Sequence, residues 1–353
     1  MTVARQAKAI GLISGGLDST LALALVRRQG IEVKAVNFYT GLCITETQRR
    51  KGGRADGTIP QNEALRAAAD LEVEVEYVDI SGKDYFEMLV HPRWGYGANA
   101  NPCVDCRVFM MRRAREIMEA EGADFIFTGE VLGQRPKSQR RDTLRIIERE
   151  SGLTGRLLRP LSAKLLEPTV AETEGLVDRA RLEDISGRSR HRQMALAEEL
   201  GIADWPQPAG GCCYLTDEAF ARKFFDILDT REAAGQARAL DKEDVILLST
   251  GRHFRLSPRA KLVVGRTEIE NLMLEHHVAG RARLEARDAL GPIALVEGTP
   301  TWEERQLAAR IVARYGKGKD LPQVAIKWRE ENVEEIYEVE PERDESAIEA
   351  LRI

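Results

Sequence analysis

The stretch from Leu12 to Thr20 reads Leu-Ile-Ser-Gly-Gly-Leu-Asp-Ser-Thr, and it decides how the first half of the chain folds. It overlaps the end of an apolar run typical of a strand, Ala9 to Ile13, and precedes an apolar run typical of a buried helix, Leu21 to Val26. Glycines let the backbone approach an anion closely, and the free N–H groups and dipole of a helix start stabilise negative charge. The stretch therefore predicts a phosphate-binding loop between a strand and a helix.

Two other phosphate-binding patterns do not fit this loop. The Walker spacing is absent, since no lysine follows the glycines, and the G-x-G-x-x-G fingerprint of dinucleotide-binding folds is missing. Asp18 has two alternative roles, as a ligand of Mg²⁺ or as a cap of the helix, and an ordinary glycine-rich turn is the alternative for the whole stretch. The residues that we expect to bind phosphates here are Ser14, Gly15, Gly16, Asp18, Ser19 and Thr20.

The six residues from Ser14 to Ser19 resemble the pyrophosphate loop of the ATP pyrophosphatase (PP-loop) superfamily. Members cleave ATP between its α and β phosphates and adenylylate a substrate. The resemblance implies an adenine nucleotide α-hydrolase-like fold, ATP and Mg²⁺ as cofactors, and a catalytic role for Asp18.

The first half of the chain alternates strands with helices. Alternation of this kind predicts a parallel α/β sheet, whose ligands lie at the carboxyl ends of the strands. The loop at Ser14 and the segment Thr128–Glu130 both lie at such ends. The predicted strands are Ala9–Ile13, Ile31–Phe38, Val73–Val78 and Asp124–Gly129, and the predicted helices are Leu21–Val26, Gln61–Asp70 and Cys103–Ala120.

The chain changes character near Thr216, where a smaller α+β domain is predicted to begin. A helix over Asp217–Leu228 is followed by short strands joined by tight turns, Val245–Leu248 among them. Val324–Trp328 is predicted as the final strand, and the acidic tail from Glu330 is expected to be solvated at its end. We place a PP-loop ATP-binding domain at 1–165, a connecting region that carries the third cysteine at 166–230, and an accessory RNA-binding-like domain at 240–340.

Cysteines supply the second strong signal. Cys103 and Cys106 are three residues apart at the predicted start of a helix, a spacing that can hold one metal ion or cluster or form a redox pair. Gly210-Gly211-Cys212-Cys213 offers a third thiol, which we assign to Cys212, with Cys213 as the substitute. Three thiolates suit a [4Fe–4S] cluster with one open iron, and a persulfide system without metal or a structural zinc site are the alternatives.

The loop, the CxxC pair and the later Gly-Gly-Cys together resemble the ATP-dependent tRNA thiolation enzymes over about Met1 to Leu228. These 2-thiouridylases and 4-thiouridine synthetases adenylylate a uridine carbonyl oxygen and replace it with sulfur, some with a [4Fe–4S] cluster held by three cysteines and others with persulfides. The resemblance implies catalytic and metal-binding roles for Cys103, Cys106 and Cys212. Glu130 stands where the family has the histidine of a Thr-Gly-His-type segment, which is a departure from the standard 2-thiouridylases.

Basic residues that follow the strand ending near Gly129 are expected near the phosphates. Gly129, Arg135 and Lys137 are therefore predicted to bind the nucleotide, with the two cations stabilising the charge on departing pyrophosphate, and surface charge is the alternative. Trp94 and Tyr96 are candidates to stack on an extruded base or simply to pack. Three basic clusters fit an RNA backbone track or else a solvated helix face. They comprise Arg135, Lys137, Arg140, Arg141, Arg145 and Arg149; Arg112, Arg113 and Arg115; and Arg188, Arg190, His191 and Arg192.

A second resemblance covers about Gly251 to Val296. The segments Gly251–Ser257, Val263–Asn271 and Gly291–Val296 resemble the RNA-binding domain of the NFACT ribosome-quality-control proteins. An accessory domain that only packs on the enzyme is the alternative. The residues that this resemblance offers for phosphate binding are Arg252, Arg255, Lys261 and Arg266.

Composition limits the remaining function classes. The chain has 353 residues and a formal net charge of −5, so that any nucleic-acid site must be a local patch. No signal-peptide h-region and no apolar run of membrane length occur, and five cysteines do not suggest a disulfide framework, so a cytoplasmic location without membrane contact is expected. No rhodanese-like domain is visible, and sulfide or a partner desulfurase must then supply sulfur. The oligomeric state is left open.

These observations lead to one interpretation and two rivals. We interpret the chain as an ATP-dependent sulfurtransferase that acts on a tRNA uridine and releases pyrophosphate and AMP. One rival is a PP-loop enzyme that thiolates or amidates a small molecule. The other is a non-catalytic RNA-binding protein that has kept the nucleotide fold.

Overall fold

The computed structural model describes residues 6–44, 63–202 and 213–353, which form two compact units. The first unit contains the described residues up to 202, and the second contains 213–353. In these ranges no helix is both long and apolar enough to cross a membrane. The three-part division into 1–165, 166–230 and 240–340 stays a prediction.

A parallel sheet forms the centre of the first unit. Its strands are β1 (Lys8–Leu12), β2 (Glu32–Tyr39), β3 (Val75–Asp79), β4 (Phe125–Thr128) and β5 (Leu157–Leu158). The α-helices of this unit are α1 (Leu17–Arg27), α2 (Glu63–Ala69), α3 (Lys83–Val90), α4 (Cys103–Ala120), α5 (Arg141–Ser151), α6 (Val170–Thr173) and α7 (His191–Leu200). The strand order is β3-β2-β1-β4-β5. The loop that follows β1 therefore opens between the ends of β2 and β4.

Helices cover both faces of this sheet, because successive side chains of a strand point to opposite faces. One hydrophobic cluster contains Ala9, Phe125 and Phe127 of the strands with Ala22, Leu23 and Val26 of α1. The other contains Ile10, Val36 and Ile126 of the strands with Val108, Met111 and Met118 of α4. Burial on both faces is typical of parallel sheets, and the predicted parallel α/β fold is confirmed.

The second unit contains a six-stranded antiparallel sheet. Its strands are β6 (Arg252–Ser257), β7 (Ala260–Val264), β8 (Ala282–Ala286), β9 (Ala294–Gly298), β10 (Val324–Glu330) and β11 (Val333–Val339). Its α-helices are α8 (Glu218–Ala233), α9 (Lys242–Leu248), α10 (Glu268–Glu275), α11 (Trp302–Arg314) and α12 (Glu345–Leu351). The strand order is β11-β10-β8-β9-β7-β6, and α11 packs its apolar side on the sheet. The predicted α+β character of this part is confirmed.

The prediction of a strand at Val245–Leu248 is wrong. These residues form the end of α9, which begins after Asp241. The carboxylate of Asp241 accepts from the backbone N–H of Asp244 at 2.8 Å, and the carboxylate of Asp244 accepts from the backbone N–H of Asp241 at 3.0 Å. This reciprocal cap favours a helix over the strand that the apolar run alone suggested.

The prediction that the chain ends in a solvated acidic tail after its last strand at Val324–Trp328 is also wrong. Val333–Val339 pairs antiparallel with β10, and the tight turn between them places Glu331 at φ +50°. The strand contributes Tyr337 and Val339 to the core, and its acidic side chains contact arginines, as Glu334 does with Arg329 at 2.6 Å. The charges that suggested a solvated tail lie on the outer side of a paired strand.

Candidate nucleotide site and cysteine pair

The loop between β1 and α1 is held by its own hydroxyl groups. Gly15 adopts φ +77°, and the Ser19 hydroxyl accepts from the backbone N–H of Ser14 at 3.3 Å while it donates to the carbonyl of Gly16 at 2.9 Å. The Thr20 hydroxyl donates to the same carbonyl at 3.2 Å. Gly16 is the N-cap of α1, and among the described residues no side chain caps this helix. The first N–H groups of α1 thus keep their capacity to bind an anion.

Asp18 lies in the first turn of α1, and its two carboxylate oxygens have different surroundings. Oδ2 accepts from Nε2 of Gln134 at 3.0 Å and from Nη2 of Arg190 at 3.4 Å. Oδ1 is buried and has no hydrogen-bond partner among the described residues. The alternative that Asp18 caps the helix is wrong, because Gly16 holds that position. A buried carboxylate oxygen without a partner fits the hard oxygen ligand that Mg²⁺ requires.

Gly129 brings the end of β4 against the start of α1. A β-carbon at this position would lie well inside 3.0 Å of the backbone of Asp18 and Ser19, a distance that real β-carbons essentially never show. Only glycine therefore permits the end of β4 to approach the start of α1 this closely. The sequence-based expectation that Gly129 binds the nucleotide stays a prediction, but its position beside the loop is a fact of the fold.

Glu130, the residue that departs from the family motif, is buried in an ion-pair network. Its Oε2 atom accepts from Nε of Arg159 at 3.2 Å, and its Oε1 atom lies 3.5 Å from Nε of Arg107. Arg159 is itself buried and also contacts Glu148. A carboxylate held between two guanidinium groups stabilises this region in a way that a neutral histidine does not.

The segment after Gly129 contacts Asp18 of the loop through Gln134, which the sequence analysis did not name as a binding residue. Arg135 is exposed, and Nζ of Lys137 donates to the carbonyl of Gly95 at 2.8 Å. That these two cations bind the nucleotide stays a prediction. The side chains that contact Asp18 are those of Gln134 and Arg190. Arg190 lies 172 residues after Asp18 in the sequence. A role for Gln134 could have been suspected because it lies next to Arg135, which was predicted to bind the nucleotide. Arg190 had been assigned to a basic cluster of the predicted RNA track.

The cysteine pair opens α4, as predicted. Sγ of Cys103 donates to Oδ1 of Asn101 at 3.0 Å, and Sγ of Cys106 lies 3.3 Å from the hydroxyl of Tyr85, which is within hydrogen-bond distance. Asp105, between them, is buried and accepts from the backbone N–H of Arg93 at 2.7 Å. The residues before the helix are thereby fixed to its first turn, and both thiols belong to a rigid element.

The third thiol lies beyond what the structure describes in the first unit. Cys212 falls outside the described residues, and Cys213 begins the second unit. In the described ranges no group of three or more Cys, His, Asp and Glu side chains could hold a metal ion. In the first unit, the described members of the predicted thiol set are therefore Cys103 and Cys106, and the described residues do not complete a three-thiol site. We derive no step through a cluster, and its assignment to Cys103, Cys106 and Cys212 stays a prediction.

Several cations of the predicted RNA track contact carboxylates. Arg113 pairs with Glu116, Arg149 with Glu150 at 3.0 Å, and Arg192 with Glu183 and Glu199. The aromatic side chains proposed for base stacking are also engaged. Trp94 lies under the guanidinium of Arg93 at 4.7 Å, and the Tyr96 hydroxyl donates to the carbonyl of Leu89 at 2.8 Å. These contacts favour the packing alternative for both aromatic residues.

Two of the four cations offered for phosphate binding in the second unit are unsuitable. Lys261 is buried, its Nζ lies 3.7 Å from the carboxylate of Glu297, and burial lowers the pKa of its ammonium group. Arg255 binds Asp226, with Nε to Oδ1 at 2.9 Å. Both side chains serve interior ion pairs. Arg252 and Arg266 line an open cleft instead.

The parallel sheet with the loop at its centre makes the first unit an α/β nucleotide-binding domain. Residues 4–166 match the family model described as thiamine biosynthesis protein (ThiI). Residues 251–351 match the model described as NFACT protein RNA binding domain. The resemblances expected from the sequence, to tRNA thiolation enzymes and to the NFACT RNA-binding domain, are confirmed.

Individual relatives agree with these models. The tRNA-specific 2-thiouridylase MnmA of Syntrophotalea carbinolica is 33% identical over 121 residues, which cover 33% of this chain and 32% of that protein. The probable tRNA sulfurtransferase of Thermococcus kodakarensis is 29% identical over 174 residues, which cover 46% and 38%. The chain thus spans little more than a third of the length of these relatives. A crystal structure of a 4-thiouridine synthetase–RNA complex with bound ATP aligns with 20% identity over 56% of this chain and 52% of that chain, at a TM-score of 0.33, which is too low to define a shared fold.

Proposed function

We propose that this chain is an ATP-dependent sulfurtransferase that acts on a tRNA uridine. The observation that carries the proposal is the loop Ser14–Thr20, whose helix has no side-chain cap and whose Asp18 keeps one buried oxygen without a partner. Both features suit a magnesium-bound polyphosphate. The family models and the names of the relatives support tRNA thiolation as the use of this nucleotide.

The loop residues would bind the phosphates of ATP. The hydroxyls of Ser14 and Ser19 and the first N–H groups of α1 would contact phosphate oxygens, and Asp18 would ligate Mg²⁺. Arg190 is placed to leave Asp18 for the departing pyrophosphate, where a cation stabilises developing charge. The uridine carbonyl oxygen attacks the α-phosphorus, the bond to the β-phosphate oxygen breaks, and pyrophosphate leaves with its electron pair.

The second step exchanges oxygen for sulfur. A nucleophilic sulfur atom attacks the activated uridine carbon, and the carbon–oxygen bond breaks to release AMP. Cys103 and Cys106 belong to the same unit as the loop, and Cys212, or Cys213 in its place, would complete the thiol set. When bound, a [4Fe–4S] cluster would supply an open iron to carry the sulfur. Sulfide would be the sulfur source for that iron. A cysteine persulfide is the alternative carrier, formed when a cysteine thiolate takes the outer sulfur from the persulfide of a partner desulfurase, whose own cysteine leaves as a thiolate.

The first experiment measures ATP–pyrophosphate exchange with and without tRNA, followed by mass spectrometry of the nucleosides. We expect exchange that depends on tRNA and, with sulfide added, a thiolated uridine. Asp18→Asn should abolish both, whereas Asp184→Asn, at an exposed carboxylate of the same unit, should retain both. Exchange without tRNA would favour a small-molecule substrate, and RNA binding without any exchange would favour the non-catalytic rival.

The second experiment separates the two sulfur carriers. Protein purified under anaerobic conditions is assayed for iron, acid-labile sulfide and persulfide, together with its Cys103→Ser, Cys106→Ser, Cys212→Ser and Cys213→Ser variants. Loss of iron and sulfide in the first three variants, with Cys213→Ser unchanged, supports the cluster. Cys43→Ser is the matched control, since Cys43 is outside the proposed set. Persulfide without iron would reject the cluster and leave the adenylylation step in place.

A further inference from the structure

The second unit has an open cleft of about 810 Å³ whose lining is dominated by positive charge. Its walls come from the start of β6, from the connection between β7 and α10, and from the segment that follows α11. The cations that line it are Arg252, Arg266, Arg314, Lys317 and Lys319, and the carboxylates are Glu268 and Asp320. The cleft therefore carries more cations than carboxylates, although the whole chain has a formal net charge of −5.

Three of these cations have no ion-pair partner among the described residues. Arg266 contacts Glu270 and Arg314 contacts Glu345, but no ion pair of the described chain involves Arg252, Lys317 or Lys319. Most other arginines of the unit contact a carboxylate, and they include Arg231, Arg238, Arg255, Arg281, Arg283, Arg287, Arg305, Arg310 and Arg329. In a unit that pairs most of its arginines, an unpaired arginine beside two unpaired lysines on one cleft indicates a site for an external anion.

Arg252 shows that the positive charge here is concentrated rather than dispersed. Its guanidinium carbon lies 4.6 Å from the centre of the Tyr315 ring, which holds the group in place without neutralising it. Burial lowers the pKa of Arg252, and the charges of Arg266 and Arg352 lower it further. An anion in the cleft would relieve this repulsion.

The lining favours a phosphate chain over other ligands. Binding sites for small organic molecules are lined mainly by apolar and aromatic side chains, whereas this cleft offers only Leu290, Pro292 and Tyr315 of those types. The neighbouring cleft of about 620 Å³ has carboxylates as well as arginines, so the unpaired charge does not extend over the whole surface. Several separate cations on one open cleft suit successive phosphates of one strand.

We propose that this cleft is where the second unit binds the phosphate backbone of RNA, through Arg252, Lys317 and Lys319, with Tyr315 holding Arg252 in place. The choice of RNA as the polyanion rests on the proposed function. Of the four cations that the sequence analysis expected to bind phosphate, Arg252 and Arg266 line the cleft, whereas Arg255 and Lys261 do not. Lys317 and Lys319, which follow α11, also line it. The sequence analysis assigned no binding role to the segment that contains these two lysines.

The test uses the full chain and a fluorescein-labelled single-stranded oligouridylate, with binding followed by anisotropy over a range of salt concentrations. We expect the double variant Lys317→Glu/Lys319→Glu to weaken binding by about tenfold or more and to reduce the slope of log affinity against log salt by about 1.4, the contribution of two phosphate contacts. A bromouridine-containing oligonucleotide should crosslink to the peptide that contains Tyr315.

Arg259→Glu is the matched control. Arg259 is an exposed cation at the opposite end of the β6–β7 hairpin from Arg252, about 17 Å away along the strand, and the change should leave affinity and salt slope unaltered. Wild-type binding and slope in the double lysine variant, crosslinks elsewhere, or equally effective displacement by polyglutamate would each overturn the proposal. ATP–pyrophosphate exchange of the double lysine variant, measured at a tRNA concentration high enough to saturate it, reports on the proposed function separately, so failure of one leaves the other standing.

Discussion

The α-carbon of Gly129 lies so close to the backbone of Ser19 that no side chain fits between them. Gly129 follows β4, and Ser19 lies in the first turn of α1. The contact therefore joins the end of β4 to the helix that follows the neighbouring strand β1, at the nucleotide loop. The geometry of the loop is therefore set in part by a residue 110 positions away in the sequence.

Gly129→Ala is expected to displace the loop. The new methyl group would press on the backbone of α1, which cannot move without disturbing β1, and we expect a loss of about 3 kcal/mol or more in stability together with loss of ATP binding. Calorimetric ATP titration and thermal unfolding measure the two effects. Gly82→Ala is the control, because a β-carbon there meets nothing within 4 Å, and it should cost at most about 1 kcal/mol. Normal ATP binding by Gly129→Ala would contradict this view of the loop.

Arg190→Ala is expected to lower ATP–pyrophosphate exchange by about tenfold or more, with Arg190→Lys intermediate. The guanidinium now contacts Asp18 at 3.4 Å, and we expect it to contact phosphate when ATP binds. Arg156→Ala is the matched control, since Arg156 is an exposed arginine of the same unit, lies outside the predicted RNA track and has no ion pair among the described residues. An unchanged exchange rate in Arg190→Ala, or an equal loss in Arg156→Ala, would reject a role at the phosphates.

The contrast between the loop and Arg190 explains what the sequence could predict. The loop Ser14–Thr20 forms from adjacent residues, and its glycines, hydroxyls and flanking apolar runs are legible locally. Arg190 reaches Asp18 only because α7 packs beside α1, a tertiary relation that no local pattern encodes. Its sequence neighbours are also basic, and this suggested a surface track instead.

The same reasoning explains the errors in the second unit. Val333–Val339 contains three glutamates among seven residues, and this charge considered alone favours a solvated tail. The strand is stabilised by pairing with β10 and by the edge-to-face contact of Trp328 with Tyr337, at 6.1 Å between ring centres. Lys261 was expected to bind phosphate from the resemblance to the NFACT RNA-binding domain, whereas it lies inside with Glu297.

Glu130→Gln is expected to destabilise the first unit by about 3 kcal/mol, because it removes one of the two carboxylates that neutralise the buried guanidinium of Arg159. The amide keeps the shape of the side chain, so the loss reports on charge rather than on packing. Urea unfolding monitored by hydrogen exchange of β4 and β5 measures it. Glu167→Gln removes an exposed partner of Arg145 and should cost less than about 0.5 kcal/mol. Equal stability of Glu130→Gln and wild type would show that the buried pair is dispensable.

Stability of the first unit is expected to fall in acid through Glu121. Lys34 donates to its carboxylate at 2.6 Å and Lys8 at 2.8 Å, and these hydrogen bonds lower the pKa of Glu121 to about 2 from the model-compound value of 4.5. Because the folded-state pKa is depressed, the contribution is complete above pH 4.5 and is lost as the pH falls from there towards 2. Urea unfolding should therefore show a shallower acid-side decline for Glu121→Gln than for wild type. Glu74→Gln, at an exposed carboxylate without an ion pair among the described residues, should keep the wild-type slope, and a wild-type slope in Glu121→Gln would refute the linkage.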